Sequence, residues 1–296
     1  MVRHYIRAKR LKVLKTFVAS SAALKCIRQT VWLAFLVTLF PIQSTAATIT
    51  LEGPGKAILE GPITPGDAER LIEAQRSQLH REGKPLRLLF LSSNGGSLAE
   101  AVRLATIIEL FRLDVMVPSG SQCASSCFLL YVAGSTRVAM AELDSALGGR
   151  LGIHRPFNNR IDIQDGELPR AEAEQRALMS RMQVFLRERN VPQDLIEKLL
   201  QYSSQEIYWL SDADLVSLGG FSPNYEELII RKCGRSPDIA RQILNPIGSR
   251  DTEEIVQTMD ALNSCQVRVM AALRSKEVRA ALARMGRGWR PWQSTR

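Results

Sequence analysis

Apolar and polar positions along this chain follow two periods, one strand-like and one helical. Thr48–Ile63 (TITLEGPGKAILEGPI) holds two short alternating runs split by Gly53-Pro54-Gly55, which predicts a β-hairpin. Asp67–Arg81 sets Ala68, Leu71, Ile72, Ala74 and Leu79 among charges, the pattern of an amphipathic surface helix. Leu86–Leu91 is nearly all apolar and predicts a strand buried on both faces. Ser97 and Glu100 predict a capping box that opens the helix Leu98–Phe111, where Leu98, Val102, Ala105 and Ile108 recur at helical spacing. A strand-like run, Leu113–Val117, stops at Pro118. A turn of small residues leads into the apolar helix-like run Phe128–Ala133, closed by Gly134.

Further along, Arg137–Met140 and Leu151–His154 read as strands, and Phe157–Leu168 as a polar surface loop. Arg170–Asn190 predicts a long helix with Ala173, Ala177, Leu178, Met182 and Phe185 on its apolar side, and Asp194–Leu200 a short one. Ile207–Leu210 reads as a strand, and Ser211 as the cap of a helix over Asp212–Leu218. Residues 224–283 look helical with a break at Asn245–Gly248, and Met285–Arg296 as a loose tail. Strands alternating with helices predict an α/β fold on a largely parallel sheet.

Composition adds little to this: 45% hydrophobic and 23% charged residues describe a globular chain with a substantial core. Charge changes more. The net charge of +9 resembles that of a nucleic-acid binder, but residues 1–47 hold eight Lys/Arg and no acid, which leaves about +1 elsewhere. Nucleic-acid binding is therefore rejected as the main function. The same residues have a basic region, an apolar run Val31–Ile42 and the small residues Ser44-Thr45-Ala46-Ala47, the anatomy of a secretory signal peptide. The apolar run falls short of the about 20 residues of a membrane span. Two readings stay open: a cleaved signal with a periplasmic product, or an uncleaved inner-membrane anchor with the globular part outside the cytoplasm. Residues 48–222 then form the main domain, and residues 223–296 a C-terminal helical extension.

Cysteine usage agrees with export. Cys26 lies in the leader; Cys123, Cys127, Cys233 and Cys265 remain. An even count outside the cytoplasm predicts two disulfides, although more than one connectivity is open. The local pairing is Cys123–Cys127, bracing the turn that holds Ser125, and Cys233–Cys265, stapling two C-terminal helices. No histidine or second cysteine pair stands near them at zinc-ligand spacing, so no metal site is expected; no cofactor is expected either, because hydrolysis needs none. A catalytic cysteine at 123 or 127 is the rival reading, disfavoured because an oxidising compartment pairs the two.

The candidate chemistry sits at three turns. Ser125 and Ser126 fall where a turn becomes a helix, a position suited to a nucleophile or simply to a cap. Gly95-Gly96 follows a strand, and His154 ends one. The chain has three histidines; His4 is in the leader and His80 on a polar helix face. In this order the pieces read SNGGS, ASSC followed by FLLYVAG, and IHRP. They resemble the proteolytic subunit of Clp protease and the wider Clp/crotonase superfamily, over Leu86–Gly220. That resemblance implies a spiral of ββα units and a serine hydrolase. Ser125 falls on the nucleophile, His154 on the general base, and the backbone N–H groups of Gly96 and Ser126 on the oxyanion hole. It also implies a peptide or protein substrate and self-association into a homo-oligomer.

The third triad member departs from the family pattern. Matching Trp209 to the aromatic of the last strand puts Ile207 where the family has Asp. Glu206 is adjacent, but a strand neighbour points to the opposite face. The readings left open are a Ser–His dyad, Glu206 or another carboxylate as orienter, a weakly active enzyme, and a non-catalytic exported binding or scaffold protein. Acyl-CoA chemistry is a poor third, since no feature marks an adenine site.

Overall fold

A computed structural model describes residues 46–139, 148–156, 168–203, 206–234 and 252–285. Residues 1–45 of the leader, Cys26 among them, the loop 157–167, the break 245–248 and the tail 286–296 lie outside the described residues. The described residues belong to one compact unit.

The hairpin forms as expected: β1 (Thr48–Leu51) pairs antiparallel with β2 (Lys56–Glu60), with Thr48 opposite Glu60. Then α1 (Asp67–Glu82) returns the chain to β3 (Leu88–Ser92), which lies parallel to β2. Next come α2 (Leu98–Phe111) and β4 (Asp114–Val117), parallel to β3. β6 (Thr136–Ala139) joins β4 in parallel, and the two-residue β9 (Gly220–Phe221) closes that edge antiparallel. The order β1-β2-β3-β4-β6-β9 is a mixed sheet whose centre is parallel. Leu89, Leu91, Val115 and Val117 in its middle strands are fully buried on one face, whereas Leu88, Phe90 and Met116, which alternate with them, are only partly buried, so the strand expected to be buried on both faces is fully covered on one.

A second, three-stranded sheet has the order β5-β7-β8. β5 (Gln122–Ala124) lies parallel to β7 (Arg150–Ile153), and β8 (Tyr208–Trp209) pairs antiparallel with β7. The bridge Ser93–Cys123 ties it to the end of β3. Neither β5 nor β9 was expected from the sequence: three and two residues are too few to show a period.

Between the sheets runs α3 (Cys127–Val132), every residue of which is buried. Phe111, Phe128 and Tyr131 are the largest side chains in the core. Truncating such a phenylalanine to alanine costs about 3–5 kcal/mol. α4 (Leu168–Arg187) and α5 (Gln193–Gln201) add Met182, Leu186, Leu195, Ile196 and Leu199 to the same core. The nearby Arg137 is buried and donates from both terminal nitrogens to the Arg189 carbonyl oxygen, 3.2 Å away. Burial, with the neighbouring Arg189 adding to it, pushes its guanidinium down to about 10.

One expected cap is corrected. Ser97 does cap α2, accepting from the Glu100 N–H at 3.3 Å. Glu100, however, does not reach back to complete a capping box. Its buried carboxylate accepts from the N–H groups of Gly66 (3.1 Å) and Ala68 (2.8 Å) at the start of α1. That terminus has no cap of its own, and its unpaired N–H groups and positive dipole end attract the carboxylate. A full capping box forms instead at α6 (Asp212–Leu218), between Ser211 and Asp214.

The C-terminal helices pack onto the sheet domain. α7 (Pro223–Cys233) and α8 (Thr252–Met285) are joined by the Cys233–Cys265 disulfide; the other disulfide is Cys123–Cys127. Val278 and Ala281 of α8 are buried in the main core. Arg274 on the same helix is 3% exposed; it donates to the Arg112 carbonyl oxygen (2.7 Å) and pairs with Asp114 (3.0 Å).

Burial raises the Asp114 carboxyl above its ordinary value and lowers the Arg274 guanidinium, each against the pull of its partner. Desolvation therefore outweighs attraction in this pair. A raised folded-state pKa favours folding in acid, and that advantage is lost as pH rises through the raised value. Replacing Arg274 by Met leaves a buried carboxylate without its cation. The expected cost is about 3–5 kcal/mol near neutral pH and smaller near pH 4, because burial lets the Asp114 carboxyl take up a proton more readily than a free one. Urea unfolding at the two pH values checks both the size and the sign.

Candidate active site

The nucleophile candidate stands at a pivot. The Ala124 N–H donates to Ser93 O and the Ser125 N–H to Gly152 O, both at 2.9 Å, so Ser125 is the last residue held by the small sheet. Its own carbonyl oxygen accepts from the Phe128 N–H at 3.0 Å, the first turn of α3. One residue must therefore convert strand direction into helix direction. Ser125 does so at φ 57°, in the left-handed region, which costs a residue with a side chain about 1–2 kcal/mol. Such an outlier in a sharp strand-to-helix turn is where strain and function coincide.

The Gly-Gly turn fits against this pivot. A Cβ on Gly95 would lie 2.7 Å from Ser125 Cβ, and one on Gly96 would lie 2.2 Å from the Ile63 carbonyl oxygen. Both glycines also have positive φ, so close approach and backbone conformation each require them. The Ser126 hydroxyl donates to the Gly96 carbonyl oxygen at 3.2 Å, linking the two turns. The N–H groups of Gly96 and Ser126 have no protein acceptor among the described residues.

His154 follows β7 as Ser125 follows β5, and these strands are parallel neighbours with Ala124 opposite Gly152. Their carboxyl ends adjoin, the usual position for a site in an α/β sheet. His154 is 8% exposed, and its Nδ1 lies 2.9 Å from the Arg155 carbonyl oxygen. A carbonyl only accepts, so Nδ1 donates to it; in the neutral imidazole this arrangement leaves the lone pair on Nε2. No hydrogen bond joins Ser125 Oγ to His154. Unliganded sites commonly show such looseness.

Ser125, Ser126, Gly96 and His154 line one cavity of about 260 Å³. Leu98, Phe128, Leu129, Met182 and Leu199 form its apolar wall. A larger cavity of about 380 Å³, between α2, α3 and α7, holds no nucleophile–base set, and Arg189 there is paired with Glu109 at 2.6 Å.

Glu206 does not line the Ser125 cavity. It is exposed, and its carboxylate accepts from Ser203 Oγ at 3.3 Å. The pairs Gly152–Trp209 and Ile153–Tyr208, continued by one step, set Ile207 opposite His154. Ile207 Cγ2 would lie 2.6 Å from a Cβ at Gly152, so its side chain is on the His154 face of β7. The Arg155 carbonyl on His154 Nδ1 is a partner that sequence reasoning missed, because a main-chain acceptor carries no residue signature. Asp214 is engaged elsewhere, accepting from Tyr208, Ser211 and Lys198. Both cysteines beside Ser125 are consumed in their disulfide, which removes them as nucleophiles. Among the described residues no three His, Cys, Asp or Glu side chains gather as a metal site.

No protein-family model matches the sequence, and comparison with curated proteins finds no match. Among solved structures, the chain is similar to a ClpP1 mutant from Listeria monocytogenes, at 18% identity and a TM-score of 0.41, over 56% of this chain and 88% of that one.

Proposed function

We propose that this chain is an exported serine hydrolase, a peptidase that forms an acyl-enzyme at Ser125 with His154 as general base. The observation that carries the reading is the strained Ser125 in one cavity with His154 and with two N–H groups that have no acceptor among the described residues. Ser125 Oγ attacks the scissile carbonyl carbon while His154 Nε2 takes the hydroxyl proton. The N–H groups of Gly96 and Ser126 receive the oxyanion; losing one such donor typically costs about 10²–10³ in turnover. The imidazolium returns its proton to the leaving amine, and water then hydrolyses the ester by the same route. None of these steps calls for a metal or an organic cofactor.

The same proposal includes the Clp/crotonase-like spiral, the signal-peptide or anchor role of the leader, and self-association. Two disulfides support an oxidising compartment. No helix among the described residues is long and apolar enough to cross a membrane. A second reading, an exported binding module that keeps the fold without the chemistry, draws support from the missing Ser125–His154 hydrogen bond.

A fluorophosphonate probe distinguishes the two. The full chain labels at Ser125 if it is a hydrolase and not at all if it is a binding module. Ser125→Gly abolishes labelling, yet it unfolds no earlier than the native chain on a thermal scan. Relief of the about 1–2 kcal/mol left-handed cost offsets the about 0.5–1 kcal/mol of added chain entropy.

Glu206→Gln leaves the labelling rate unchanged in the same assay, since its carboxylate bonds Ser203 rather than the imidazole. A loss approaching the about 10⁴ typical of a missing triad carboxylate would restore Glu206 as the orienter.

A further inference from the structure

We propose that the Cys123–Cys127 disulfide is a positioning element for the nucleophile, so that the reactivity of Ser125 depends on oxidation of these two thiols. This rests on the hydrolase reading above. The bridge joins the middle of β5 to the first residue of α3, with Ala124, Ser125 and Ser126 inside its loop. Ser125, the only residue of that loop in the left-handed region, sets the angle between strand and helix. Main-chain bonds hold each arm: Ala124 and Ser125 N–H to the sheets, Phe128 and Leu129 N–H to the carbonyls of Ser125 and Ser126. None of them crosses the pivot and limits the angle between the arms. The disulfide crosses it, with the two Cα atoms 5.2 Å apart.

Stabilisation of the chain does not account for this bridge as well as positioning does. Cys123 and Cys127 are four residues apart, Cys233 and Cys265 thirty-two. Loop entropy favours the longer closure, so the shorter one removes less freedom from the unfolded chain. Its effect falls instead on the three residues it encloses, which are the nucleophile, its neighbour in the sheet and the donor of one proposed oxyanion N–H. A misplacement of about 1 Å at such a centre can cost about 10²-fold in rate. Both cysteines are fully buried, so the bond must form before or as the core closes. The step is a thiol–disulfide exchange with a disulfide oxidant of the compartment. The two Cys thiols lose two protons and two electrons to form the S–S bond, and the oxidant is reduced to two thiols.

The test compares two double variants of the full chain by saturation kinetics of fluorophosphonate labelling, alongside thermal unfolding. Cys123→Ala/Cys127→Ala is expected to lower the maximal labelling rate about 10²-fold, with little change in the half-saturating probe concentration. Cys233→Ala/Cys265→Ala is expected to lower the melting temperature more and to leave the labelling rate at the native value. Should the first pair fail to give the native circular dichroism spectrum, Cys123→Val/Cys127→Ala restores lost volume and decides in its place. An unchanged maximal rate without the 123–127 bridge overturns the proposal, and so does an equal loss in both double variants. Failure of the native chain itself to label overturns the hydrolase reading and this inference together.

Discussion

Parallel pairing of β5 with β7 is the constraint on which the candidate site depends. Ser125 N–H on Gly152 O is its last rung. That rung ends one strand at a serine, while its neighbour ends at a histidine two residues further on. Side chains at adjacent carboxyl ends need no long reach to enter a common cavity. Beyond the rung α3 leaves Ser125 at once, and Phe128 and Leu129 of that helix join the cavity wall.

Backbone approach is the second constraint. Gly95 lies against the Ser125 Cβ and Gly96 against the Ile63 backbone, each closer than a side chain allows. Their peptide groups can therefore lie against the turn at Ser125–Ser126, and the Ser126 hydroxyl fastens the contact. Three independent ties meet at one strained residue: a sheet rung, a disulfide and a Gly-Gly turn. Over-determination of this kind lets a left-handed serine persist.

Around the site the fold handles its buried charges unevenly. Glu100 is matched to an uncapped helix start and to Arg103, so its oxygens are fully used. Arg274 and Asp114 pair with each other, yet burial shifts both toward their neutral forms. That pair binds α8 to the end of α2 and the start of β4 at a net desolvation cost, and apolar contacts of Val278 and Ala281 hold the same helix. Geometry, rather than affinity, is what such a pair contributes.

Local patterning alone determined the hairpin, α1, α2, the middle strands and the apolar helix after Ser125, because their periods are long enough to read. It also determined that a Gly-Gly turn, a serine at a helix start and a histidine at a strand end occur in one order, and that four cysteines fall into two local pairs. Tertiary structure decided the rest. β5 and β9 exist only because partners pair with them, since three and two residues carry no period. Glu100 went to another helix because unmet N–H groups lay at the start of its neighbour α1, a fact of distance rather than of sequence. The left-handed φ of Ser125 follows from a strand and a helix meeting at a fixed angle. The partner of His154 Nδ1 is a carbonyl oxygen, an atom every residue carries, so only the folded path of the chain could select it.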